Sequence, residues 1–553
     1  MKRTGAQLLV DCLLQQEAQI GFGVPGESYL AVLDALYDAG TSFRFINCRH
    51  EGGGAFMAEA YGKLTGKPGI LFVTRGPGAS NASIGIHTAM QDSVPMVVFV
   101  GQIETSMRDR EAFQELDYKA VFGPMCKWAV EINDAERVPE LVCRAFTVAL
   151  SGRPGPVVLA LPEDMLVQET DAEPRGKVQP VQAFPAEVQM QTAMAMLAEA
   201  ERPVVVAGGG GWTNSGKVAL QNFLEANKLP LIVVFRNQDT IENESPSYVG
   251  DASFGMSPEI RAFLDESDLL LAINVRFGET LTAGYTLFDP AHFHKELIHI
   301  HAGEAELGKI FTPDLAILCG PDAAAEALSA SESIVEPVWA KRTEAARQAW
   351  LDGFDLPEQP GSLDLGTVLA HLRDVLPDDA IITNGAGNFA IWANRYLYYG
   401  KKRRLLGPEA GSMGVGVPAA VMAKLVDPNR FVLCFAGDGD FHMTGMELGV
   451  AQQHGVAPII LVFNNGMYGT IRMHQEREFP ERVSGTQLVN PDFTKIAEAF
   501  GLIGERVENT EDFPAAFERA RASRTGALIE LIIDPDVLAP RATVSGLRKL
   551  NHD

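Results

Sequence analysis

Cysteine is scarce in this 553-residue chain. Cys12, Cys48, Cys126, Cys143, Cys319 and Cys434 are the six present, and no two form a Cys-x-x-Cys pair. That spacing argues against a disulfide framework or a thiolate zinc site and marks them as small buried hydrophobes. Positive charge is also in short supply: 46 Lys and Arg against 71 Asp and Glu leave a net charge of −25. Such a surface has no general affinity for nucleic acid or anionic membranes, so the expected partners are small molecules or further copies of the chain. Long apolar runs are missing as well. Stretches such as Met96 to Val100 and Ile459 to Phe463 have the length of a strand, not the roughly 20 residues of a membrane helix. The opening Met-Lys-Arg-Thr-Gly leads into Gln and Asp rather than a signal-peptide core, so a cytoplasmic location is expected.

With 46% hydrophobic and 21% charged residues, and with 53 Gly and 32 Pro spread throughout, the composition is that of a globular protein of several domains. Short β-branched runs alternate with helical periodicity along the whole chain, which predicts an α/β fold of parallel sheets flanked by crossover helices. Two stretches rich in Pro, Glu and Ala, 168–185 and 329–360, interrupt the rhythm and read as linkers, the second with helical character. The expected domains are therefore 1–167, 186–330 and 361–553. The first and third resemble each other coarsely, each placing a Gly-rich turn after an apolar strand, at 71–78 and 431–439.

Residues 431–469 hold the strongest chemical signal. The strand FVLCFA runs into Gly437-Asp438-Gly439-Asp440, a helix is expected from Thr444 to His454, and the strand PIILVF ends at Asn464-Asn465-Gly466-Met467-Tyr468-Gly469. In one right-handed βαβ unit with strands about 4.8 Å apart, Asp438 and Asn465 emerge together at the carboxyl edge of the sheet. A carboxylate, an amide oxygen and a backbone carbonyl suit Mg²⁺ that also binds phosphate oxygens. Gly-Asp-Gly or Asn-Asn-Gly alone would be an ordinary turn. Their pairing across 27 residues is what distinguishes this segment.

Here the chain resembles the thiamine-diphosphate enzymes, and within them the acetolactate synthase group, over essentially its whole length. The resemblance implies three domains in the order pyrimidine-binding, central and diphosphate-binding. It implies that Asp438, Asn465 and the Met467 carbonyl bind Mg²⁺, that Gly437, Gly439 and Asp440 cradle the diphosphate, and that Tyr468 and Gly469 complete the loop. Asp440 departs from the serine usual there, and its carboxylate must turn away from a diphosphate. In Cys48-Arg49-His50-Glu51-Gly52-Gly53-Gly54 the resemblance makes Glu51 the catalytic acid against N1′ of the aminopyrimidine, contributed by a partner subunit. The cofactor then supplies a carbon nucleophile for a 2-oxo acid carbonyl and an electron sink as CO₂ leaves.

Further matches concern placement and substrate. In Gly411-Ser412-Met413-Gly414, Met413 would wedge beneath the bent cofactor and the Gly411 carbonyl would accept from the 4′-amino group. Asn388, in Asn384-Gly385-Ala386-Gly387-Asn388, belongs to a second diphosphate loop, and Pro25 to the loop 23–27 over the pyrimidine. Glu27, His87, Phe113, Gln114 and His474 are the expected substrate-facing residues, with Lys127 following as in the synthases. Glu27 stands where pyruvate decarboxylases have an acid, and His474 replaces the tryptophan that favours 2-oxobutyrate as acceptor. Apart from the resemblance, Gly208 to Gly211 lacks the third glycine of a dinucleotide loop, and Val218 after Gly216-Lys217 lacks the hydroxyl of a nucleotide-triphosphate loop. Val275-Arg276-Phe277 matches the segment that binds a non-redox FAD in relatives, yet His301-Ala302 replaces their acidic motif, which weighs against FAD. The expected activity is a decarboxylating carboligase of 2-oxo acids, working as a homodimer at least and doubled to a homotetramer. The alternatives are a non-ligating 2-oxo acid decarboxylase, a 2-hydroxyacyl-CoA lyase or, outside the enzymes, a silent cofactor-binding regulatory homologue.

Overall fold

The computed structural model describes residues 2–552. Three six-stranded sheets, each parallel throughout, follow one another along the chain. The first runs Arg44–Asn47, Ile20–Gly23, Gly69–Val73, Met96–Gln102, Pro156–Pro162, Trp128–Glu131 across its width. The third runs Arg404–Leu406, Ile381–Asn384, Val432–Gly437, Ile459–Asn464, Ala527–Ile532, Ile503–Val507. These two have the same winding, which accounts for the coarse likeness of their sequences. In the central sheet the strands lie 3-2-1-4-5-6 in chain order, from Tyr248–Ala252 through Pro203–Ala207 to Leu315–Leu318, the doubly wound dinucleotide-type arrangement. The inner strands are unbroken apolar runs, as in Met96–Gln102 and Leu269–Ile273, because helices cover both faces.

The first linker contributes Glu169–Thr170, which pairs antiparallel with Arg3–Thr4. The second contains the helix Ala340–Asp352, whose Trp350 meets the central-domain Tyr248 edge to face. The helix expected from Thr444 begins earlier, at Asp438, and runs to Thr444. After a 3-10 turn at Gly445–Glu447 it resumes over Leu448–His454. The break falls at Thr444, where φ is −145° and the hydroxyl donates to the Gly414 carbonyl instead of continuing the helix. Five of the six cysteines are buried and Cys143 is half-buried; all are free. No helix among the described residues is long and apolar enough to cross a membrane.

The first and third domains share one core. The helix Glu51–Thr65 packs on the helix Gly416–Val426, joining Ala55, Phe56, Met57 and Ala58 to Val417, Ala419, Ala420 and Ala423 in a single buried cluster. Small residues allow this close approach. The central domain has two cores of its own, one on each face of its sheet.

Candidate active site

Gly437 ends its strand in register with Phe463, so Asp438 and the loop 464–467 leave adjacent strands at the same edge. Asp438 is buried. Its Oδ1 accepts from Gly439 N at 2.8 Å, and its Oδ2 accepts from Gly466 N at 2.9 Å and from Asn490 Nδ2 at 2.7 Å. Burial pushes this carboxyl up from its usual range, against the pull of those donors. A divalent cation would supply the missing counter-charge. Asn465 and Met467 are half-buried in the same loop, which is pinned from outside by Tyr468 N donating to Thr486 O and Leu488 N donating to Gly466 O. Among the described residues no group of three or more His, Cys, Asp or Glu side chains is placed to hold a metal. The Asp438, Asn465 and Met467 set has one carboxylate, so an ion held there would need further oxygens, such as those of a diphosphate, to complete its shell.

The surrounding loops fit a bound cofactor. Gly439 has no room for a side chain, because a Cβ would lie 2.5 Å from the Tyr468 ring. Asp440 is buried with its carboxyl turned away from the edge: Oδ1 accepts from Gly414 N at 2.8 Å and Ala386 N at 3.1 Å. Burial raises it to about 7. The side chain thus ties the Gly437 turn to the 384–388 and 411–414 loops, and the repulsion expected of a second carboxylate is avoided by this orientation. Asn388 borders the same edge, with its N–H donating to Thr470 Oγ1 at 3.0 Å and its Oδ1 accepting from that hydroxyl at 2.9 Å. Gly411, at φ +68°, has open space where a Cβ would stand, and Met413 beside it is half-buried.

Glu51 opens the helix Glu51–Thr65 at the other cofactor-facing region and is half-buried. Its Oε2 accepts from Asn81 Nδ2 at 2.9 Å, and its Oε1 stands over Gly78. Pro25 is exposed in the 23–27 loop. Within one chain Glu51 and Asp438 belong to separate hydrogen-bond networks, the first with Asn81 and the second with Gly466 and Asn490.

The substrate-facing residues scatter. Glu27 pairs with Arg75 at 2.9 Å, its side chain 75% exposed, and Arg75 also binds Glu163. Phe113 is 71% exposed beneath the Arg75 guanidinium, and Gln114, at φ +65°, packs its backbone on Gly76. His87 is exposed and lines a cavity of about 450 Å³ between all three domains, together with Arg276, His301 and Gly411. His474 is exposed on the helix Gly469–Glu478. Lys127 does not face a substrate space. Its ammonium donates to the carbonyls of Val148 and Ser151, and burial lowers it to about 8.

Sequence reasoning missed two residues. Asn490 orients Asp438 and also donates to Asn464 Oδ1 at 2.8 Å; a lone Asn in a loop gives no signal. Glu447 is buried with Oε1 accepting from His50 N at 2.9 Å and Oε2 from Arg49 N at 3.1 Å. A glutamate inside an otherwise apolar helical segment was the available clue.

The fold and these loops suit an enzyme that takes a diphosphate-bearing cofactor at the sheet edge of its third domain. Three family models match in the same order: the N-terminal TPP binding domain of thiamine pyrophosphate enzymes at 3–121, their central domain at 190–328 and their C-terminal TPP binding domain at 385–531. The chain belongs to the thiamine pyrophosphate enzyme family. It is 32% identical to the acetolactate synthase isozyme 2 large subunit of Escherichia coli (strain K12) over 533 residues, 96% of this chain and 95% of that one. It is 31% identical to the acetolactate synthase large subunit of Parasynechococcus marenigrum (strain WH8102), covering 96% and 87% of the two chains. It is 30% identical to the probable acetolactate synthase large subunit of Methanocaldococcus jannaschii, covering 98% and 94%. It is an acetolactate synthase-like enzyme that makes carbon–carbon bonds with thiamine pyrophosphate.

Proposed function

We propose that the protein is a Mg²⁺-dependent carboligase that decarboxylates pyruvate or a closely related 2-oxo acid and joins the remaining fragment to a second carbonyl. The observation that carries this reading is the convergence of Asp438 and the 464–467 loop at one sheet edge, with Gly466 N on Asp438 Oδ2. Asp438, Asn465 and the Met467 carbonyl would hold the cation, and Gly437, Gly439 and the 384–388 loop the diphosphate. Gly411 and Met413 would receive the pyrimidine ring. Thiamine diphosphate supplies a nucleophilic carbon and an electron sink. Glu51 holds a proton at N1′ of that ring from the partner chain, and Asn81 fixes its orientation.

The apolar residues left exposed near these regions favour a homodimer as the minimum unit. Ile84 and Phe113 stand on the first domain, and Met443, Met446 and Ile471 on the third, in a number that a partner surface would cover. The non-ligating decarboxylase is the second reading, since Glu27, the acid that suggests it, is paired with Arg75 and its side chain is 75% exposed.

Incubation of the purified protein with pyruvate, thiamine diphosphate and Mg²⁺, followed by NMR of the products, tests the proposal. Acetolactate or another 2-hydroxy ketone is expected. Acetaldehyde alone would overturn the carboligase reading.

A further inference from the structure

Asp92 closes the helix Pro77–Asp92 and is buried at the meeting point of the three domains. Its Oδ2 accepts from the backbone N–H of Glu409 at 2.9 Å and its Oδ1 from that of Ala410 at 2.8 Å. Lys63, reaching from the neighbouring helix, donates to Asp92 Oδ2 at 2.9 Å and to the Gly407 carbonyl at 2.6 Å. One turn before Asp92, Thr88 Oγ1 lies 2.8 Å from the Ile84 carbonyl and 2.7 Å from Ser412 Oγ. A hydroxyl has one proton to give, so with the Thr88 proton directed to Ile84 the Ser412 hydroxyl is the donor to Thr88. First-domain side chains therefore grip the third-domain segment 407–412 at Gly407, Glu409, Ala410 and Ser412.

Gly411 lies between the gripped residues, left-handed and with open space where a Cβ would stand. The grip acts on the loop's own backbone N–H and carbonyl groups, so it fixes the loop's path and not merely the distance between two helices. The segment 407–412 belongs to no helix or strand that would fix its path, whereas a buried charged pair is costly to separate.

We propose that Asp92 is a positioning residue: with Lys63 and Thr88 it sets the height of Gly411 and Met413 against the cofactor's pyrimidine ring. This rests on the thiamine-diphosphate reading of the site given above. Asp92 touches neither cofactor nor substrate and acts through the loop.

Asp92→Asn tests the proposal, since it keeps the side-chain volume but turns an amide NH₂ toward one of two backbone donors. In the cofactor-free protein, hydrogen exchange at residues 409–412 should quicken at least about tenfold, the scale of a lost charge-assisted hydrogen bond. Calorimetric titration with thiamine diphosphate and Mg²⁺ should show binding about tenfold weaker. The near-ultraviolet circular dichroism that reports the amino and imino forms of the bound pyrimidine should change, and kcat should fall more than KM for the 2-oxo acid rises. Leu220→Ala, in a core of the central domain, is the control for stability alone and should leave exchange at 409–412 and cofactor binding as they are. Thr88→Val, nearly isosteric, gives the same test at smaller amplitude should Asp92→Asn fail to fold. Wild-type exchange at 409–412 and wild-type cofactor affinity in the folded variants would overturn the proposal. A wild-type protein that binds no thiamine diphosphate would overturn the site reading itself, which the same titration reads separately.

Discussion

Glu447 accepts from the backbone N–H of His50 at 2.9 Å, one residue before Glu51. An acid of the third domain thus caps the start of the first-domain helix that opens with Glu51. A Cβ on Gly53 would collide with that carboxyl, so the glycine at 53 is what admits it. Burial pushes Glu447 up to about 7 from an ordinary 4.5. The native state therefore binds a proton that the unfolded chain releases, and stability from this group declines as pH rises from about 4.5 through about 7. Glu447→Gln should lose one backbone pairing, lower stability by about 1–3 kcal/mol and flatten that part of the pH dependence. Thermal melts of both proteins across pH 5 to 8, about two units on the acid side and one on the basic side of that titration, would check it. Parallel slopes would show that Glu447 does not titrate there.

Cation removal should release the cofactor. EDTA is expected to abolish turnover and Mg²⁺ to restore it. Asn490→Ala, which frees Asp438 Oδ2 from its side-chain partner, should raise the Mg²⁺ concentration needed for half-maximal activity by about tenfold or more, as loss of a group that orients a metal ligand does. A Mg²⁺ titration of the variant reads this directly.

The proposed sharing of the site between two chains predicts complementation. Glu51→Gln should abolish turnover with only a modest loss of cofactor binding, and Asp438→Ala should abolish both. Co-expressed, the two variants form hybrid dimers in which one of two sites has an intact Glu51 and an intact Asp438. Random pairing then restores about a quarter of wild-type activity. No recovery on mixing would show that both residues serve from one chain.

The purified protein should be colourless, without flavin absorbance. His301 lines the three-domain cavity, burial lowers it to about 4, and its Nδ1 already accepts from Gly303 N at 2.9 Å. At this place a neutral imidazole with its accepting nitrogen engaged replaces the acid that a ribose hydroxyl would otherwise meet. A visible spectrum of freshly purified enzyme with a 450 nm flavin band, roughly the region where oxidised flavins absorb, would contradict this.

The repeating strand and helix alternation made the three parallel sheets legible, because each inner strand is apolar on both faces and each is followed by a crossover helix. The convergence of Asp438 and the 464–467 loop was legible because consecutive parallel strands of one βαβ unit end at the same sheet edge. The path of the helix after Asp438 was not, since its interruption at Thr444 depends on a hydroxyl finding the Gly414 carbonyl from a distant loop. Asp440 showed a departure in type, but only the fold reveals that its carboxyl faces Ala386 and Gly414. Lys127 looked like a substrate contact in sequence order, whereas its ammonium is spent on two helix-end carbonyls. Glu447 and Asp92 act across long sequence separations through backbone groups, which leave no pattern of residue types behind them.

The single apolar cluster shared by the first and third sheets sets how the molecule can be taken apart. The central unit has its own interiors on both faces and is joined to the third by polar bonds, such as those of Arg236 to Asn384 and Gly385, rather than by a common apolar cluster. The outer two cannot be excised or grafted singly, since either one alone would present to water the greasy helix face that its sister normally covers. In a chimera or a limited-proteolysis ladder they behave as one unit with a long detour between its halves.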